Sequence, residues 1–121
     1  MNLNNVTISG RLGSNPEVVA FENGSKITKF SIANNEFYKS KDGEQKTHTN
    51  WVMVVYPKEL PSFLQDKVFK GEEVVIEGRL KVRSYENDDS KKYFTEVFAN
   101  RIHINSKKNT DTEFPPEMIE D

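Results

Sequence analysis

Val6-Thr7-Ile8-Ser9-Gly10-Arg11-Leu12 alternates apolar with polar residues, a period that sends successive side chains to opposite faces of a strand, and Gly13-Ser14-Asn15-Pro16 ends it as a turn. Ser14-x-x-Glu17 matches a helix capping box, but the β-branched pair Val18-Val19 and the Asn23-Gly24 turn beyond Phe21 favour extended chain. A second strand is predicted from about Lys26 to Tyr38, with Thr28, Phe30 and Ile32 on one face. Lys41-Asp42-Gly43-Glu44 then turns the chain into a third, Thr47 to Tyr56, in a hairpin with protruding polar arms. After Pro57 the period changes: Leu60, Phe63, Leu64 and Val68 recur at helical spacing, and Gly71 sits where a helix would stop. Alternation then returns in a fourth strand, with Val74, Ile76, Leu80 and Val82 on one side and Arg79, Lys81, Arg83 and Tyr85 on the other. The acidic loop Glu86 to Ser90 leads into a fifth strand, Lys91 to Ile104.

Three strands, a helix and two strands is the order of the OB-fold, an all-β, five-stranded barrel with one short helix. Closing the sheet removes exposed edges, and Gly10 and Gly78 lie inside strands where a small barrel needs bulges or sharp coiling. Phe30, Phe63 and Phe98 are assigned to its core. The expected domain covers residues 1–105; from Ser106 the alternation ends, and Pro115-Pro116 with few apolar residues predicts a disordered acidic tail over 106–121.

Charge sharpens this division. The formal net charge of −2 opposes binding to nucleic acid, but residues 1–105 carry 15 Lys/Arg against 14 Asp/Glu, and the tail 2 against 5. The body is therefore near neutral with clustered cations. Arg79, Lys81, Arg83 and Tyr85 put three cations and a ring on one face; a single strand of nucleic acid offers phosphates and exposed base faces to such a row. Lone cations on a solvated strand also keep a protein soluble, and the ring favours the binding reading. Lys39 and Lys41 beside Phe37-Tyr38, Trp51 and Tyr56 in the third strand, and Lys91-Lys92-Tyr93 extend the surface. Trp51 shares its face with Met53 and Val55, which leaves core packing and stacking both open; Tyr56, Phe37, Tyr93 and Phe94 read individually as packing residues.

Catalysis finds no support. His48 and His103 are isolated, the carboxylates are scattered, and the absence of cysteine removes thiolate nucleophiles, disulfides and the usual zinc frameworks, so neither metal nor cofactor is expected. Ser9-Gly10-Arg11-Leu12-Gly13 lacks the lysine and spacing of a phosphate loop, which leaves its glycines to backbone geometry. No stretch approaches the roughly 20 apolar residues of a membrane span. Met1-Asn2-Leu3-Asn4-Asn5 has no basic or apolar run, so the expectation is a cytoplasmic protein without a signal peptide.

Over about residues 4–105 the chain resembles the bacterial and phage single-stranded DNA-binding proteins. Gly10-x-Leu12-Gly13-x-Asn15-Pro16-Glu17 looks like the family's opening signature, and Thr49-x-Trp51-x-x-Val54-Val55 like its third-strand motif. Lys70-Gly71-x-x-Val74-x-Ile76-Glu77-Gly78-x-Leu80-x-x-Arg83 is similar to its helix-to-strand motif. The resemblance implies sequence-independent binding of single-stranded DNA in replication, recombination and repair, by a homotetramer or a dimer. Trp51 matches a stacking tryptophan, Tyr38 and Tyr85 fall at two further stacking positions, and Lys81 and Arg83 match basic positions beside the DNA path. The family often has an aromatic where this chain has Pro57, next to Tyr56. Its members commonly end in Asp-Asp-Ile-Pro-Phe, which recruits replication and repair proteins; here Met118-Ile119-Glu120-Asp121 stands instead. Weak docking through Phe114 and a solubilising tail that screens the basic face are both open. Alternatives for the domain are a primosome-type accessory or protein-interaction module, and a single-stranded RNA binder.

Overall fold

The computed structural model describes residues 1–105, and the expected tail lies outside them. Seven elements follow one another: β1 (Val6–Leu12), β2 (Glu17–Ala20), β3 (Lys26–Lys39), β4 (Gln45–Tyr56), α1 (Ser62–Gln65), β5 (Glu73–Glu86) and β6 (Lys91–Ile104). The sheet order is β1-β5-β6-β4-β3-β2, and a β1–β3 pairing joins its ends. Five strands thereby close into the OB barrel. The sixth, β2, lies along β3 with Val18 opposite Thr28, so the segment after Pro16 is extended chain and no helix starts at Ser14.

Closure depends on glycine at the corner between β1 and β3. β1 runs against β5 from Val6 to Arg11, then transfers to β3, with Arg11 opposite Ala33 and Leu12 opposite Ile32. A Cβ on Gly10 would stand 2.6 Å from the Ala33 carbonyl oxygen, closer than any side chain tolerates. At the opposite corner the β5–β6 register shifts between Glu77 and Gly78 and leaves Asn100 as the extra residue of a bulge.

The inward-facing residues Phe30, Ile32, Val54, Val74, Ile76, Val97 and Ile102 meet in one core, and Thr28, buried beneath them, donates its hydroxyl to the Lys58 carbonyl at 2.9 Å. Leu60, Leu64 and Val68, each four residues apart, lie on one row and plug the barrel's end. The helical pattern is realised as a single turn, Ser62–Gln65, started by the Pro61 carbonyl, which accepts from the Leu64 and Gln65 amides. Gly71, expected where the helix would stop, lies beyond it: the helix is capped at Asp66, and Gly71, at φ +89, belongs to the turn that leads into β5. Phe63 corrects the predicted core: one position off the buried row, it is exposed. Phe98 is only half-buried, on the outer wall.

Candidate nucleic-acid interface

Strand register decides which side chains share the outer wall. Partners in the β3–β4 hairpin are equidistant from Asp42, so Trp51 faces Ala33 and Thr47 faces Phe37. Odd-numbered residues of both strands therefore share one face. Phe30, Ile32 and Val54 point inward, whereas Ala33, Phe37, Lys39, Trp51 and Met53 point outward. The Trp51 indole is 65% exposed, which settles the packing-or-stacking alternative against the core. Phe37, expected to pack, is exposed on the same face. Tyr38 is exposed too, but on the opposite pleat, opposite Lys46, so the hairpin does not bring it beside Trp51.

Beyond the Gly78 bulge, β5 and β6 leave the barrel as a long ribbon whose partners are Leu80 with Val97, Lys81 with Glu96, and Tyr85 with Lys92. Val97 is buried and points inward, so Arg79, Lys81, Arg83 and Tyr85 share the outer face with Phe98, Glu96, Phe94 and Lys92. The predicted row is therefore one face. At about 3.4 Å per residue it extends for roughly 20 Å. Leu80 and Val82 are exposed on the ribbon's other face, since no strand covers it there. Lys91 shares that other face, its ammonium 5.7 Å from the Tyr93 ring centroid. A parallel pairing of Met53 with Glu96 joins the Trp51 wall to the cationic row.

The cations are not equivalent. Arg83 is committed: its Nε and Nη2 donate to the two carboxylate oxygens of buried Glu96 at 2.9 and 3.1 Å. Lys81 stands over the Phe98 ring, 4.5 Å from its centroid, which covers an apolar face while leaving the ammonium toward solvent. Tyr85 stacks on Phe94 with ring centroids 5.3 Å apart and planes 14° from parallel, an extended flat surface beside those cations. Tyr56 is buried in the core, opposite Thr28, and its predicted place on the surface is corrected.

A polar ladder fixes the base of the β3–β4 arm. Asn34 donates to the Ser9 carbonyl at 2.9 Å, and Asn50 donates to Asn34 Oδ1 at 3.3 Å and to Glu36 at 2.6 Å. Lys41 lies in the turn at the tip, where the Ser40 hydroxyl and the Glu44 amide hydrogen-bond to Asp42 and hold its carboxyl below the usual carboxylate range. The residues missed by pattern, Phe37 and Phe94, were recoverable by counting: distance from Asp42 places Phe37 with Trp51, and the Asp88-Asp89 turn places Phe94 with Tyr85. Among the described residues no group of three or more His, Cys, Asp or Glu side chains could hold a metal ion, and no helix is long and apolar enough to cross a membrane.

Residues 3–105 match the model of the single-strand binding protein family. A single-stranded DNA-binding protein of Xanthomonas axonopodis pv. citri is 31% identical over 103 residues, 84% of this chain; the chain spans only 57% of that relative's length. Single-stranded DNA-binding protein 1 of Chlorobaculum tepidum is 31% identical over 110 residues, 89% of this chain and 68% of its own length. Among solved structures, the Plasmodium falciparum SSB in complex with ssDNA superposes with a TM-score of 0.75 at 29% identity, over 87% of this chain and 96% of that one. The match spans the barrel and both arms, and the chain belongs to the single-strand binding protein family.

Proposed function

We propose that this protein binds single-stranded DNA without sequence preference and covers unpaired strands during replication, recombination and repair, as a cytoplasmic, nucleoid-associated binding protein without catalytic chemistry. One observation carries the reading: register places Trp51 and Phe37 on the same outer wall as the Arg79-Lys81-Arg83-Tyr85 row and the Tyr85–Phe94 stack. Stacking accepts any base because every base has a flat face, and each stacked base is worth about 1–3 kcal/mol. Trp51, Phe37, Tyr85 and Phe94 serve as platforms, while Arg79, Lys81, Lys39 and Lys92 meet phosphates. Arg83 keeps an outward N–H edge for the same purpose while Glu96 fixes its plane. Lys41, Tyr38 and Lys91, at the arm tip and on the reverse faces, take a strand that wraps around an arm. The match to a structure solved with ssDNA supports the reading.

The assembly that fits this role is a homo-oligomer, a homotetramer by resemblance to the family or a dimer. β1 pairs with β3 only at Arg11 and Leu12, and Asn34 takes the Ser9 carbonyl, so the other edge of Val6, Thr7 and Ile8 has no strand partner among the described residues and offers backbone groups to a second copy. Mass in solution tests this; a monomer that stays monomeric with long oligonucleotide refutes it. For binding itself, Trp51 fluorescence is followed as oligo(dT) is added at rising salt. Saturable quenching that weakens with salt is expected. No quenching at low salt refutes the proposal, and equal competition by matched RNA makes the protein a general single-strand binder.

A further inference from the structure

Gly13 belongs to the opening glycine motif, yet its backbone does not lie in the left-handed region, where among the described residues only Gly24, Gly43 and Gly71 are found. Its lack of a side chain has another cause. A Cβ at Gly13 would stand 2.6 Å from Cζ3 and 3.2 Å from Cη2 of Trp51, and 3.3 Å from the Ser31 hydroxyl. The indole springs from β4, and its far edge rests against Gly13 at the end of β1, with Ala33 as the strand partner between them. Bare backbone is the seat. That seat is held from several sides: the Gly13 amide donates to the Ser31 carbonyl at 3.0 Å, the Leu12 amide to the Glu72 carbonyl at 3.0 Å, and the Gly71 amide to the Leu12 carbonyl at 2.9 Å.

We infer that Gly13 is a positioning residue for nucleic-acid binding: by having no side chain it seats the Trp51 indole at one orientation and leaves the ring's exposed surface to a base. The inference rests on the reading of the outer wall as the DNA surface. A methyl group at Gly13 would overlap the ring edge, and the strand backbone is pinned, so the indole has to move. The ring edge is the far end of a side chain with two free torsions, so it swings at small cost to folding. A stacking platform that must return to its orientation before a base can use it binds more weakly, because the ordering cost falls on the binding step.

The test is Gly13→Ala in the full chain, measured with oligo(dT) and alongside Trp51→Ala and the double variant. Trp51 is the chain's one tryptophan, so its emission reports the seat alone. Gly13→Ala is expected to lower oligo(dT) affinity by about tenfold, with the melting temperature little changed and acrylamide quenching of Trp51 in the free protein increased. In the Trp51→Ala background the same substitution should change affinity by less than about twofold. Unchanged affinity and acrylamide quenching in Gly13→Ala overturn the inference, as does a full loss that persists without the indole. If the wild type fails to bind oligo(dT), the functional reading falls as well, and the acrylamide arm still shows whether Gly13 seats the ring.

Discussion

Replacing Gly78 with alanine removes the one residue that lets β5 and β6 cross at the bulge. The new Cβ would lie 2.0 Å from the Phe98 carbonyl oxygen, 2.8 Å from its carbon and 3.0 Å from the Ala99 Cα. All three are backbone atoms. Ordinary contact begins near 3.4 Å, so the strands must part by more than 1 Å where Arg79 pairs with Phe98 and Gly78 with Ala99. Overpacking that side chains absorb costs about 1–3 kcal/mol. Here the ladder itself has to open, and a loss of about 3 kcal/mol or more is expected, or a fall in melting temperature of roughly 12–24 °C for a domain of about 100 residues. Gly24→Ala is the control, because Gly24 sits at φ +91 with nothing within 4 Å of a new Cβ. Its cost is only the left-handed backbone, about 1–2 kcal/mol. Thermal and urea unfolding of both variants, followed by circular dichroism, compares them. If Gly78→Ala melts no lower than Gly24→Ala, the close approach at the bulge does not govern the stability of this corner.

Phe37→Ala is expected to weaken oligo(dT) binding by about 1–3 kcal/mol and Tyr38→Ala by less, since only Phe37 shares the Trp51 face; fluorescence titration checks the order. Lys81→Ala and Arg79→Ala should each reduce the slope of log affinity against log salt by about 0.7. Arg83→Ala should in addition destabilise the fold by about 1–3 kcal/mol, because it leaves buried Glu96 without its bidentate partner, and urea denaturation reads this. Tyr56→Ala should lower stability by about 3 kcal/mol through the cavity it opens, while whatever protein remains folded binds oligo(dT) with nearly native affinity.

The alternation of apolar and polar residues was enough to show the barrel, because each strand has one face in the core and one in solvent. It failed where that rule stops applying. Leu80 and Val82 continue the alternation of Val74 and Ile76, but the bulge at Gly78 carries them past the barrel's end to where no layer covers them. Four residues, Glu17–Ala20, are too few to show a period, so β2 read only as extended chain. Phe63 fits a helical stripe, yet a single turn buries only the row spaced by four, and the ring falls outside it. In the candidate site, the cationic row was visible because it lies on one strand. The choice between Phe37 and Tyr38 needed the pairing of two strands, and resemblance to relatives pointed to Tyr38, one residue away from the face that carries Trp51. The commitment of Arg83 to Glu96 and the seat of Trp51 on Gly13 join residues distant in the chain, and no local pattern shows them.

The proposed function puts the bases chiefly on one outer wall of the barrel, the one that carries Trp51. Ultraviolet cross-linking of the protein to oligo(dT), followed by peptide mass spectrometry, reads that wall directly. The account predicts adducts on Trp51, Phe37, Tyr85 and Phe94. Adducts concentrated on Phe21, Phe63 or Phe69, aromatics that are just as accessible but lie off this wall, with Trp51 and Tyr85 left unmodified, would contradict it.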